Sequence, residues 1–103
     1  MQSGRFDSHG LAILPLIGSP VSATIAPNVY NRVFEEYGIN AISRPFEIHP
    51  DQLSEFLAAA RLLRIPGFVL TAPLKSAIIP LLDEVDDVSR LFNSVNFVRL
   101  VDG

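Results

Sequence analysis

Apolar positions along this chain fall into short continuous runs, broken by proline and glycine, that alternate with longer stretches of helical spacing. The run LAILPLIG at 11–18 is almost wholly apolar and ends in Gly18-Ser19-Pro20, which predicts a strand buried on both faces and then a turn. Pro27 then opens a predicted helix through Tyr37, closed by Gly38, with Val29, Val33 and Phe34 at helical spacing and Tyr30 and Tyr37 beside them. A second strand is predicted over 41–48, with Ile42, Phe46 and Ile48 on one face and Pro45 arguing for an edge position. Pro50-Asp51-Gln52 opens a second helix whose stripe is Leu53, Phe56, Leu57, Ala60 and Leu63, stopped at Pro66-Gly67. Phe68 to Thr71 reads as a third, buried strand.

After it, Pro73 suits the first position of a third helix, which Pro80 should kink or end. Asp83 to Phe92 predicts a further short helix with an acidic start, and 93–101 a last strand that leads into Asp102-Gly103. Strands alternating with helices in this order predict a three-layer α/β sandwich with a mixed, mainly parallel sheet. Residues 1–10 read as a flexible lead and 11–103 as the domain.

Composition narrows the chemistry. The chain has 103 residues, 49% hydrophobic and 18% charged, which suits one folded domain with a single core. A net charge of −3 with no basic run argues against nucleic acid as a partner. Cysteine is absent, and His9 and His49 stand far apart with no carboxylate spaced to join them in a metal site. No apolar stretch reaches the ~20 residues of a membrane span. The run at 11–18 is too short, too broken by Pro15 and preceded by Asp7 rather than a basic region, so a secretory signal is not expected and the chain fits the cytoplasm.

Ligands in open α/β sheets collect beyond the carboxyl ends of the strands. The residues expected there are Ser19, Ser22 and Thr24 after the first strand, Thr71 and Lys75 after the third, and Asn93, Ser94 and Asn96 near the last. Hydroxyls, amides and one ammonium suit a small polyhydroxylated or carboxylated molecule, and Gly18-Ser19-Pro20 lacks a glycine-rich phosphate cradle. Ser and Thr in such loops also cap helices and make turns. Lys75 is the only lysine in the chain and stands at a predicted helix start, where unpaired N–H groups disfavour a cation, so its placement asks for a reason.

Six stretches carry a resemblance when taken in order: PLIGSPVS at 15–22, APNVYNRVF at 26–34, RPF at 44–46, GFVLTAPLK at 67–75, LLD at 81–83 and SVN at 94–96. Together they resemble the substrate-binding domain of shikimate dehydrogenase from about residue 13 onward. The resemblance implies an NADP-dependent oxidoreductase of the shikimate pathway that reduces the ketone of 3-dehydroshikimate. It implies Lys75 as the catalytic lysine, where an ammonium group would meet the negative charge that builds on the ketone oxygen. Asn96 and Thr71 are implied on substrate hydroxyls. Asn31 also fits a family asparagine, with a helix polar-face residue as the alternative.

Where the family places two serines on the substrate carboxylate, this chain has Thr24 and Ala26, so only one hydroxyl is kept. Val69 replaces an asparagine, Leu74 a residue often polar or aromatic, and Phe97 a threonine. The family's aspartate partner of the lysine and its NADP-binding domain follow the position of Gly103, so no cofactor-binding residue is expected within these residues and the chain alone is expected not to catalyse hydride transfer. The expected partner is a shikimate-like polyhydroxylated carboxylate, with a homodimer left open. The alternative reading is a noncatalytic small-molecule-binding or assembly module with a degraded carboxylate site.

Overall fold

A computed structural model describes residues 10–20 and 26–101. Four strands form one sheet in the order β2-β1-β3-β4: β1 is Ala12–Gly18, β2 Ala41–Glu47, β3 Gly67–Leu70 and β4 Phe97–Arg99. β1 runs parallel to both β2 and β3, and β4 closes the other edge antiparallel to β3. Helices α1 (Ala26–Glu36), α2 (Leu53–Leu62), α3 (Leu74–Ala77) and α4 (Asp87–Phe92) complete the fold. This is the mixed, mainly parallel α/β sheet that the residue pattern predicts, and Pro45 does lie on an edge strand.

Side-chain alternation splits the core between the two sheet faces. Ile17, Phe68, Leu70 and Val98 point to one face, where Leu53 and Leu57 of α2 and Leu74 of α3 cover them. Phe56 meets Phe68 edge to face, with ring centroids 4.9 Å apart. Leu16 and Val69 point to the other face, and Leu14 and Tyr30 of α1 pack against them. Helices on both faces make the three layers.

Several element details differ from the sequence reading, each for a local reason. The inner stripe of α1 is Pro27, Tyr30 and Phe34, whereas Val29 and Val33 are 53% and 41% exposed. Choosing 27, 30 and 34 turns the helix so that Asn31 reaches the edge of β2. Gly38 ends the helical turn with φ +65°, a conformation that costs glycine little, and Ile39 N–H reaches back to the Phe34 carbonyl at 2.8 Å. α2 stops at Leu62, because Arg64 turns the chain at φ 57° well before Pro66, and this leaves Leu63 68% exposed rather than in the stripe.

Pro73 is the residue before α3 rather than its first, and α3 is a single turn followed by a 3-10 turn at Ile79–Leu81 that contains Pro80. In β2 the most buried positions are Ala41 and Ser43, on the face opposite Ile42 and Phe46. α4 begins only at Asp87, because the Asp86 carboxylate accepts the Ser89 N–H at 2.7 Å and so sets the start, and Asn93 ends it in the left-handed conformation. β4 is accordingly three residues long.

The packing can be tested at two depths. Phe68→Ala removes a fully buried ring and should cost about 3–5 kcal/mol, whereas Leu63→Ser should stay within about 0.5 kcal/mol, both read by urea unfolding. Hydrogen bonding from the Ser89 backbone holds the Asp86 carboxyl below its ordinary value. Its stabilisation is therefore complete above the unfolded carboxyl pKa of about 3.9 and disappears as pH falls through the lower folded value. Asp86→Asn keeps an acceptor that does not titrate, so its melting temperature should fall less steeply than the parent's below about pH 4.

Candidate functional site

Because β1 and β3 are parallel and β4 antiparallel, the ends of β1 and β3 and the start of β4 share one edge of the sheet. Thr71 leaves β3 there, Lys75 follows on α3, and Asn96 immediately precedes β4. Their main chains are bonded into one another. Thr71 N–H donates to the Ile17 carbonyl at 2.9 Å, and Leu74 N–H donates to the Thr71 carbonyl at 2.9 Å. Val95 N–H donates to the Lys75 carbonyl at 2.8 Å, and Leu70 N–H donates to the Asn96 carbonyl at 2.9 Å. The positions of residues 71, 75 and 96 are thus tied to the sheet by backbone bonds rather than left to loop conformation.

Thr71 and Lys75 are half-buried and Asn96 is exposed. The Thr71 hydroxyl donates to the Ala72 carbonyl at 3.3 Å. Leu74, beside Lys75, is fully buried, which anchors the single turn that carries the ammonium group. A one-turn helix has little macrodipole, so the expected repulsion of a cation from its start is weaker than a longer helix would give. Val69 is buried against Leu16, and Phe97, its register partner on β4, is 49% exposed on the same face. Both are packing positions. Thr24 and Ser22 lie outside the described residues, and Ala26 opens α1.

Two features were missed by sequence reasoning. Ser19 Oγ and His49 Nδ1 are 2.9 Å apart, joining the turn after β1 to the turn after β2 at this same edge, and His49 N–H donates to Gln52 Oε1. No spacing rule links positions 30 residues apart, so only the parallel register of β1 and β2 brings them together. The second is Gly18. A Cβ there would fall directly on Thr71 Oγ1, so the absence of a side chain at 18 is what lets the Thr71 hydroxyl lie over the end of β1.

A groove of about 380 Å³ lies elsewhere, with Leu57, Val95 and Val98 among its apolar walls and Arg61, Asp83 and Arg99 among its charged ones. Thr71, Lys75 and Asn96 do not line it. Among the described residues no group of His, Cys, Asp and Glu could hold a metal ion, and no helix is long and apolar enough to cross a membrane.

The close approach at Gly18 generates a double-mutant test. Gly18→Ala should destabilise by about 1–3 kcal/mol through overpacking. Adding Thr71→Ala removes Oγ1 and leaves the new Cβ at ordinary contact distance, 3.4 Å, from the Thr71 Cβ, so most of that cost should be recovered in the pair. Additive losses in denaturant unfolding would show that the two positions do not meet.

Known proteins share this fold. The family model for the shikimate dehydrogenase substrate binding domain matches residues 16–98. A shikimate dehydrogenase (NADP(+)) of Geobacter metallireducens is 39% identical over 87 residues, covering 84% of this chain and 30% of that protein. A crystal structure of a shikimate dehydrogenase in complex with NADP+ superposes with a TM-score of 0.89 at 32% identity, over 93% of this chain and 33% of its own. The Thermus thermophilus enzyme in complex with shikimate gives 0.82 at 26% identity, over 87% and 34%. The chain therefore spans about a third of the length of these relatives and belongs to the shikimate dehydrogenase family, in the part that forms the substrate-binding domain.

Proposed function

We propose that residues 11–103 form the substrate-binding domain of an NADP-dependent dehydrogenase that interconverts 3-dehydroshikimate and shikimate. The observation that carries this reading is the bonded main-chain frame around Thr71, Lys75 and Asn96, at the strand ends of a chain of this family. Support for the ligand comes from the Thermus thermophilus relative, which is in complex with shikimate, and for the cofactor from the relative in complex with NADP+.

The described residues do not suit NADP. β1 runs into Ser19-Pro20 without the glycine-rich turn that cradles a pyrophosphate, which supports a place for the dinucleotide outside these residues. Bound there in its reduced form, NADPH, the cofactor would supply the hydride and leave as NADP+. This chain's part is to hold the ketone and meet the charge that develops on its oxygen. The Lys75 ammonium donates a hydrogen bond to that oxygen and then a proton, giving the alcohol. The Asn96 amide can donate to one ring hydroxyl and accept from another, and the Thr71 hydroxyl adds a third polar contact. Thr24 offers one hydroxyl to the carboxylate, while Ala26 offers none.

Calorimetric titration of the 103-residue chain should show saturable shikimate binding and no NADP binding. Lys75→Ala and Asn96→Ala should each weaken shikimate by about tenfold or more, the loss of about 1.5 kcal/mol or more that hydrogen bonds to a charged or desolvated partner carry. Ala26→Ser should strengthen it by restoring a hydroxyl to the carboxylate. Stoichiometric NADP binding, or no shikimate binding in either the parent or Ala26→Ser, would overturn the assignment and leave the noncatalytic module as the better reading.

A further inference from the structure

Pro20 follows Ser19 and has no N–H, so the turn after β1 lacks its next main-chain donor beyond the Ser19 amide. The Ser19 side chain supplies an attachment instead. Its Oγ lies 2.9 Å from His49 Nδ1, a hydrogen bond that either group can donate. His49 is a firm post for that bond, because it precedes Pro50, which favours extended backbone before it, and it stands at φ −83° and ψ 157°. Its N–H donates to Gln52 Oε1 at 2.9 Å, and its carbonyl accepts the Gln52 N–H at 2.9 Å. Ile48 N–H also donates to the Gly18 carbonyl at 3.0 Å, so Ile48-His49 grips Gly18-Ser19 by one main-chain and one side-chain bond.

Ser19 bonds toward β3 as well. Its N–H donates to the Ala72 carbonyl at 3.5 Å, and the Thr71 hydroxyl donates to that same carbonyl at 3.3 Å. Both bonds are long, and long bonds give way to small shifts. When the Thr71 hydroxyl turns from that carbonyl to a ligand, the Ser19 N–H remains to pair it, so long as Ser19 is held in place. The Ser19 to His49 bond itself is exposed, where a hydrogen bond adds little net stability. Its consequence is geometric: it joins the ends of β2 and β1 to the residue that shares an acceptor with Thr71.

We infer that His49 is a positioning residue for the substrate: by holding Ser19 at the end of β1 it keeps the Ala72 carbonyl paired and so releases the Thr71 hydroxyl to bond a hydroxyl of the bound acid. The ligand and its contact with Thr71 rest on the functional reading above. The hold on Ser19 rests on the bonds that run from His49 through Ser19 to Ala72.

The test uses the 103-residue chain, with the exposed ring removed in His49→Ala. Hydrogen exchange at the Ser19 amide should accelerate about threefold or more relative to the Leu70 amide, which bonds the Asn96 carbonyl, and unchanged exchange would overturn the hold. Calorimetry should show shikimate about fivefold weaker in His49→Ala, but less than about twofold weaker when the same change is made in a Thr71→Ala background, where the hydroxyl is already gone. Equal losses in the two backgrounds, or none in either, would overturn the positioning role. His49→Asn puts an amide atom where Nδ1 stands and should bring affinity back to within about twofold of the parent, whereas His49→Gln sets its amide one methylene further out and should not. A loss in His49→Asn as large as in His49→Ala would count against the Nδ1 bond. No shikimate binding by the parent chain would overturn the functional reading and the positioning role with it, while the exchange result would still decide the hold of His49 on Ser19.

Discussion

β1 and β3 are buried on both faces, and this double burial orders the rest of the molecule. Leu16 and Val69 need cover on one side, Ile17, Phe68 and Leu70 on the other, so a helix must follow β1 across one face and another must precede β3 across the opposite one. Parallel pairing of β1 with β2 and β3 then places all three strand ends at one edge. The site is a consequence of that edge. At the ends of β1 and β3 the ladders reach one residue further, through Thr71 N–H to Ile17 and Leu70 N–H to Asn96, and Val95 N–H then bonds the Lys75 carbonyl.

The strands, the first two helices and the residues at the strand ends were legible in the sequence because each has a local cause. An apolar run, a glycine or proline at its end and a helical stripe after it are all read within a short window. Leu63 and Val29 show where that reading fails. Both fit a helical stripe by spacing, but Leu63 falls just beyond the end of α2, ahead of the turn at Arg64, and Val29 gives way to the rotation of α1 that buries Pro27, half-buries Tyr30 and brings Asn31 to β2. Long-range bonds decide such rotations, and one sequence does not display them. The same holds for Ser19 with His49 and for Gly18 with Thr71, pairs set by strand register alone.

The candidate site was legible for a different reason. Lys75, Thr71 and Asn96 were picked out by ordered motif resemblance, and chemistry alone would have left them as helix and loop polar residues. The fold adds a physical reason to group them, since the three positions are tied to the sheet by main-chain bonds that do not depend on their side chains. Side-chain identity can therefore change there without loss of the frame.

The two sheet edges are treated differently, and the difference bears on how the domain is built. β2 is protected by Asn31 and by Pro45, which has no N–H to offer. On β4 the register puts the backbone groups of Asn96, Val98 and Leu100 toward β3, as the Leu70 to Asn96 and Leu100 to Pro66 bonds require, so those of Phe97, Arg99 and Val101 face outward. Phe97 and Val101 are also 49% and 61% exposed. A groove beside them has Val98 and Leu57 in its walls. An edge with outward backbone, exposed apolar side chains and an adjoining groove contrasts with the β2 edge, where Asn31 of α1 bonds both backbone groups of Ser43. One amide thus does for β2 at Ser43 what a further strand would do, and the Pro45 ring removes the next outward N–H, so this edge offers a new strand little to pair with.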